Sequence, residues 1–169
     1  MPIILNGVTF DNGGTCTFDS NEVKEIIFGT TTVWKAENAL FPPDTNWTRK
    51  GRNASSCSIT GSQMIAKSST SNTNGRCVST VQIDPTEYSS IVFTVTAASK
   101  AGNAGIWVGT TTNSDGVSTN SSMTAYQAVN GSGTYTVSLS GLSALQYVQV
   151  ACWGSTGAAS CTVTSVILA

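Results

Sequence analysis

Few side chains in this 169-residue sequence are equipped for chemistry: it has five cysteines, nine carboxylates and eight cations, and no histidine. Without imidazole, the commonest general base and metal ligand is missing. Cys16, Cys57, Cys77, Cys152 and Cys161 form no C-x-x-C pair and have no histidine to complete a zinc site or activate a thiol. Each falls in phase with the apolar residues around it, as a small buried hydrophobe does. Free buried thiols are therefore expected, with Cys152–Cys161 or Cys57–Cys77 as the alternative bridges. Glycoside hydrolysis needs two opposed carboxylates. Asp84 and Glu87 lie close together, but Asp84-Pro85-Thr86-Glu87 reads as a capped turn. No G-x-S-x-G elbow accompanies the serines. Asp19-Ser20-Asn21-Glu22 lacks the spacing and glycine of a calcium loop and reads as a turn. The expectation is a non-enzyme with no catalytic residue, no metal and no cofactor.

Aromatic residues are the better candidates for a binding surface. Trp107 is out of phase with Ile106 and Val108, and Trp153 with Cys152. Tyr147 alternates outward from Val148, and Tyr126 follows a Thr/Ser/Asn-rich stretch, Gly109 to Ser122, that carries Asp115-Gly116. An aromatic ring on a polar face can stack on the apolar face of a pyranose. Trp107, Tyr126, Tyr147 and Trp153, with Asp115, are thus the candidate ligand-binding set. The competing reading covers both sheet faces and makes these rings core. Trp34 and Trp47 flank a proline-containing segment and are expected to pin an appendage to the body.

The elements that would position these residues are short β-strands. Ile3–Leu5 and Val8–Phe10 flank Asn6-Gly7, a strong hairpin signal, and Val23–Phe28 with Thr32–Trp34 read as a second hairpin. Residues 1–36 form a small hairpin adaptor, and 37–48, containing Pro42-Pro43, a linker. From 49 to 169, apolar residues alternate: Cys57 with Ile59; Cys77, Val81 and Ile83; Ile91, Phe93 and Val95. The same holds for Tyr135, Val137 and Leu139; Val148, Val150 and Cys152; and Cys161, Val163 and Ile167. Turn signals fall between them at Asn74-Gly75, Asp84-Pro85, Gly102-Asn103, Asp115-Gly116 and Asn130-Gly131. Such spacing predicts an all-β protein, an antiparallel sandwich of jelly-roll type. Helix is confined to a turn or two within Ser121–Val129 and one within Gly141–Leu145.

Charged residues make up 10% of the chain, against about 25% in ordinary soluble domains. A net charge of −1 makes nucleic acid a poor partner, and Arg49-Lys50-Gly51-Arg52 reads as a solvated strand end. The sequence has no apolar run long enough to insert in a membrane. Its opening, Met1-Pro2-Ile3-Ile4-Leu5, lacks the basic and apolar regions of a secretory signal.

The run Val23-Lys24-Glu25-Ile26-Ile27-Phe28-Gly29-Thr30-Thr31-Thr32-Val33-Trp34 resembles a module of bacteriophage virion proteins, with Val23, Ile26, Gly29 and Trp34 in its pattern. The stretch Gly133 to Leu142 and the ending Val163 to Leu168 resemble jelly-roll modules of phage tails, baseplates and head fibres, which are themselves similar to carbohydrate-binding domains. The resemblance implies a non-enzymatic virion component assembled in the host cytoplasm. Its hairpins would attach it to other virion proteins, and its sandwich would be displayed as a homo-oligomer that touches host glycans. The alternative is a bacterial surface or secreted carbohydrate-binding module.

Overall fold

The computed structural model describes backbone for residues 3–5, 8–10, 16–18, 21–23, 25–28 and 31–35. From 38 onward it describes all but 42–43, 53–55, 70–73, 99–102, 118–121 and 154–157, with side chains, Asp44 excepted. The chain forms two compact units, Met1–Asn38 and Ala39–Ala169.

In the first unit, β1 (Ile3–Leu5), β2 (Val8–Phe10), β3 (Cys16–Phe18) and β4 (Asn21–Val23) make an antiparallel meander. Leu5 pairs with Val8 across Asn6-Gly7, the register a two-residue hairpin imposes. β5 (Glu25–Phe28) and β6 (Thr31–Lys35) form a separate hairpin in which Trp34 opposes Ile26. Asp19, Ser20 and the side chains of Cys16 and Trp34 lie outside the described residues.

The second unit begins inside the segment read as linker. There β7 (Asn38–Phe41) pairs with the last strand of the chain, and after a short 3-10 turn at Asp44–Asn46, β8 (Trp47–Lys50) begins. Leu40, Phe41 and Trp47 are buried, and this burial builds into the sandwich a stretch that Pro42-Pro43 had marked as a connection. Trp47 meets Phe41 edge to face, with centroids 6.4 Å apart, and its Nε1–H donates to the Leu40 carbonyl at 2.9 Å. It therefore ties β7 to β8 within this unit.

The remaining strands are β9 (Ser58–Ile59), β10 (Met64–Ser68), β11 (Asn74–Ser79), β12 (Ser90–Ala98) and β13 (Asn103–Gly109). They are followed by β14 (Thr112–Asn113), β15 (Gly116–Val117), β16 (Met123–Val129), β17 (Gly133–Ser138), β18 (Tyr147–Trp153) and β19 (Ala159–Leu168). One sheet runs β17-β12-β19-β10-β9, with β7 beside β19, and the other runs β16-β13-β18-β11-β8. Among β10–β13 and β16–β19, successive strands switch sheets at every step except β13 to β16. This is the jelly-roll winding, in antiparallel sheets as expected. Between the sheets pack Met64, Cys77, Ile91, Phe93, Ile106, Val148, Val150, Cys152, Cys161 and Val163. Each such side chain contributes about 1.5–3 kcal/mol by leaving water. Cys57, Cys77, Cys152 and Cys161 are buried and unbridged.

Four local expectations are corrected. Met123–Val129, within the stretch read as a helical turn, forms strand β16, because pairing with β13 overrides its weak helical pattern. Asn74-Gly75 lies within β11: a Cβ on Gly75 would collide with the Lys67 carbonyl and the Cys57 sulfur, so this glycine serves a close approach and not a turn. β11 also stops at Ser79, leaving Val81 exposed. In β19, Val166 points inward instead of Ile167. The register explains it: Thr94 opposes Ser165 but Val95 opposes Val163, so Thr164 is an extra residue that inverts the phase beyond it.

Candidate functional site

Residues of the five-stranded sheet that point away from the core form cross-strand rows. Tyr126 on β16 opposes Trp107 on β13, which opposes Gln149 on β18, which opposes Val78 on β11. The adjoining row is Ala128, Gly105, Ala151 and Arg76, and the next holds Asn103, Trp153 and Asn74. The small residues of the middle row form a shallow trough into which rings from both sides lean. Trp107 and Trp153 have centroids 5.3 Å apart, and Tyr126 stands 6.4 Å from each. The rings are tilted by 51° to 60°, so the cluster is stepped and not flat. Tyr126 is 44% exposed and Trp153 half-buried, whereas Trp107 beneath them retains 4% exposure. Burial raises the Tyr126 phenol above its ordinary pKa, so it stays a neutral hydroxyl in physiological conditions.

Trp107 is buried but belongs to a second, outer cluster rather than to the core between the sheets. The β14–β15 hairpin covers that cluster. Val117 of the hairpin is fully buried, and a Cβ on Gly109 would run into it. The Val117 N–H donates to Gln149 Oε1 at 2.8 Å, and its carbonyl accepts from Arg76 Nη1 at 2.7 Å. Lys50 Nζ donates to the Asn113 carbonyl at 2.9 Å and to Thr112 Oγ1 at 3.2 Å, so one cation of the supposed solvated strand end fastens the hairpin. Gly116 turns the chain at φ +90°, where an added Cβ would also collide with Gln149 Oε1. Asp115 sits at the turn, its N–H accepted by Asn113 Oδ1 at 2.8 Å.

Arg76 lies over the Trp107 ring, with its guanidinium carbon 4.8 Å from the centroid. A desolvated cation–π pair of this kind contributes about 2 kcal/mol. Burial pushes the Arg76 pKa below its ordinary value, and the field of Asp115 opposes that shift. Three buried donors here, Arg76 Nε, Trp107 Nε1 and Gln149 Nε2, have no acceptor among the described residues. Leaving such groups unpaired costs about 1–3 kcal/mol each.

The structure thus brings Trp107, Tyr126 and Trp153 together and places Asp115 on the hairpin over the same face. Tyr147 shares the face but lies six residues from Trp153 along β18, about 20 Å at the rise of a strand. It makes no ring contact with the cluster. The exposed-platform expectation is corrected for Trp107, which the hairpin and Arg76 bury. Sequence reasoning missed Arg76, Gln149 and Gly105. The first two alternate outward from Cys77 and Val148, a signal that reads equally well as solvated surface. Asp84, weighed as a catalytic carboxylate, accepts from Thr86 N at 2.9 Å and Thr86 Oγ1 at 2.7 Å. Those bonds hold its pKa below the usual carboxylate range and make it a turn cap. A cleft of about 420 Å³ bounded by Trp47, Thr48, Arg49, Ser58 and Ile59 presents no exposed ring, since Trp47 is buried.

No protein-family model matches the sequence, and no curated protein matches it. Among solved structures, a low-affinity xylan-binding module, CBM86, from the gut symbiont Roseburia intestinalis superposes with a TM-score of 0.53. It is 13% identical, with 75% of this chain and 90% of that one covered. The family 11 carbohydrate-binding module of a Clostridium thermocellum cellulosomal cellulase covers 78% of this chain and 94% of its own at 12% identity, with a TM-score of 0.45. At these identities the likeness concerns the fold: residues 39–169 are a β-sandwich of the kind used by carbohydrate-binding modules.

Proposed function

We propose that this sandwich is a non-catalytic carbohydrate-binding module whose contact surface is the stepped cluster of Tyr126 and Trp153 resting on Trp107. The observation that carries the reading is an exposed tyrosine and a half-exposed tryptophan gathered over a small-residue trough on one sheet face. Rings so placed offer a sugar chain apolar contact, and the rigid sheet beneath keeps the entropic cost of ordering them small. The xylan-binding neighbour adds support at the level of fold, and plant-type polysaccharides are the first ligands to try. Affinity electrophoresis of the full chain through gels containing xylan, mixed-linkage β-glucan or pectin tests the reading. Retardation by at least one polysaccharide is expected, with a loss of about tenfold or more in the Tyr126→Ala/Trp153→Ala variant, as for hot-spot aromatics. Equal mobility with and without every polysaccharide would overturn it.

The Val23–Trp34 pattern and the separate unit Met1–Asn38 favour a second reading, which concerns where the module is displayed. On it, the first unit attaches the chain to a phage particle and the sandwich serves as a multimeric adhesin whose weak contacts add through avidity. Light scattering on the full chain tests it, since a stable multimer is expected and a monomer would sink it.

A further inference from the structure

The orphaned groups on the outer face are all donors, and one belongs to a permanent cation. A sugar hydroxyl both donates and accepts, so a neutral sugar has no special match to such a set. An anionic oxygen pair does, because charge-assisted bonds from a guanidinium are the strong ones. The β14–β15 hairpin already imitates such a ligand. Its Val117 carbonyl accepts from Arg76 Nη1, and Asp115 supplies the carboxylate whose field reaches Arg76. Trp107 Nε1 lies 3.2 Å from the Cβ position of Gly105, beside the Tyr126 hydroxyl. A substituent on a sugar held by Tyr126 and Trp153 would meet the Trp107 donor there.

Resting on the glycan-binding reading, we propose that the site selects acidic glycans. The carboxylate of a uronic acid residue takes the unpaired Arg76 Nε, Trp107 Nε1 and Gln149 Nε2 donors and displaces the β14–β15 hairpin, which otherwise covers them. The hairpin is a strap, held by Val117 and by Lys50 at its edge, and the acidic sugar competes with it for the Arg76 and Gln149 side chains.

Calorimetric titration of the full chain with oligogalacturonate and with its methyl ester tests the charge, and hydrogen exchange at the Val117 amide tests the displacement. Free acid is expected to bind about tenfold tighter than ester, in line with the extra strength of charge-assisted bonds. Arg76→Gln removes that preference, and Gly116→Ala, which unseats the hairpin, raises affinity for the acid. Val117 exchange in the unaltered chain accelerates as acid is added, a readout that stands even if Gly116→Ala does not fold. Equal binding of acid and ester, or binding of neutral polysaccharides alone, overturns the carboxylate proposal and leaves the glycan-binding reading standing. Acid preference with Val117 exchange unchanged overturns the displacement, and buried water then satisfies the donors. If no glycan of either kind binds, both readings fall.

Discussion

Tyr126 lies across Gly105: a Cβ on that glycine would stand 2.5 Å from Tyr126 Cε2 and 3.1 Å from the tyrosine hydroxyl. The exposed ring can rest on the sheet only because this position carries no side chain. Gly105→Val should therefore lift Tyr126 from the cluster and lower glycan affinity about fivefold or more, the loss of roughly one aromatic contact. The fold should survive, since valine suits a strand. Circular dichroism with affinity electrophoresis checks both; unchanged affinity in a folded variant would show that the ring has no part in binding.

Two rings of the same cluster should separate stability from binding. Trp107 is buried under Arg76 and the hairpin, so Trp107→Ala should cost about 3–5 kcal/mol of unfolding free energy, as for a large core ring. Tyr126 is 44% exposed, so Tyr126→Ala should cost about 1 kcal/mol or less while weakening glycan binding. Urea unfolding measures the difference.

The buried thiols predict alkaline destabilisation. Burial pushes Cys161 up to about 12 and Cys152 higher still, while Cys77 is raised by its hydrogen bond to Cys57 and by burial. In the unfolded chain such thiols ionise near pH ~8.5. Between that pH and 12 the folded state holds protons that the unfolded state has lost, so stability falls as pH rises. The slope is up to about 1.4 kcal/mol per pH unit per thiol. Urea midpoints between pH 8 and 11 measure it, and Cys161→Ala should shallow the fall by about one thiol's share.

Deleting Thr164 tests the bulge. Without the extra residue, Ser165 follows Val163 directly, and ordinary alternation keeps Val166 inward opposite Phe93 and Ile167 outward. A loss of about 1 kcal/mol or less is therefore expected, whereas deleting Thr164 and Ser165 together turns Val166 outward and should cost about 3 kcal/mol or more, as for a core residue brought into water. Thr164→Ala, which keeps the residue count, should cost less than about 1 kcal/mol.

Much of the architecture was legible because the side-chain period of a strand is a purely local property. The alternations at Ile91, Phe93 and Val95 and at Val148, Val150 and Cys152 name inward faces that the structure keeps. Asn6-Gly7 and Asp115-Gly116 likewise mark hairpins through backbone preferences of the residues themselves. The rule failed where a distant strand changed the count, as at Thr164, and where a glycine answered to a neighbouring backbone, as at Gly75.

Residue types alone determined that this chain has no imidazole chemistry, that its strands alternate, and that Trp107 and Trp153 fall out of phase with the apolar residues beside them. The tertiary structure decided which of those rings meet, that Tyr147 stands apart, and that Trp107 is covered while Tyr126 is not. It also decided that Arg76 and Gln149, ordinary polar positions in sequence, are buried beneath a hairpin. Phase along a strand follows from the pleat. Burial on an outward face depends on what another part of the chain lays over it, and no local pattern encodes that.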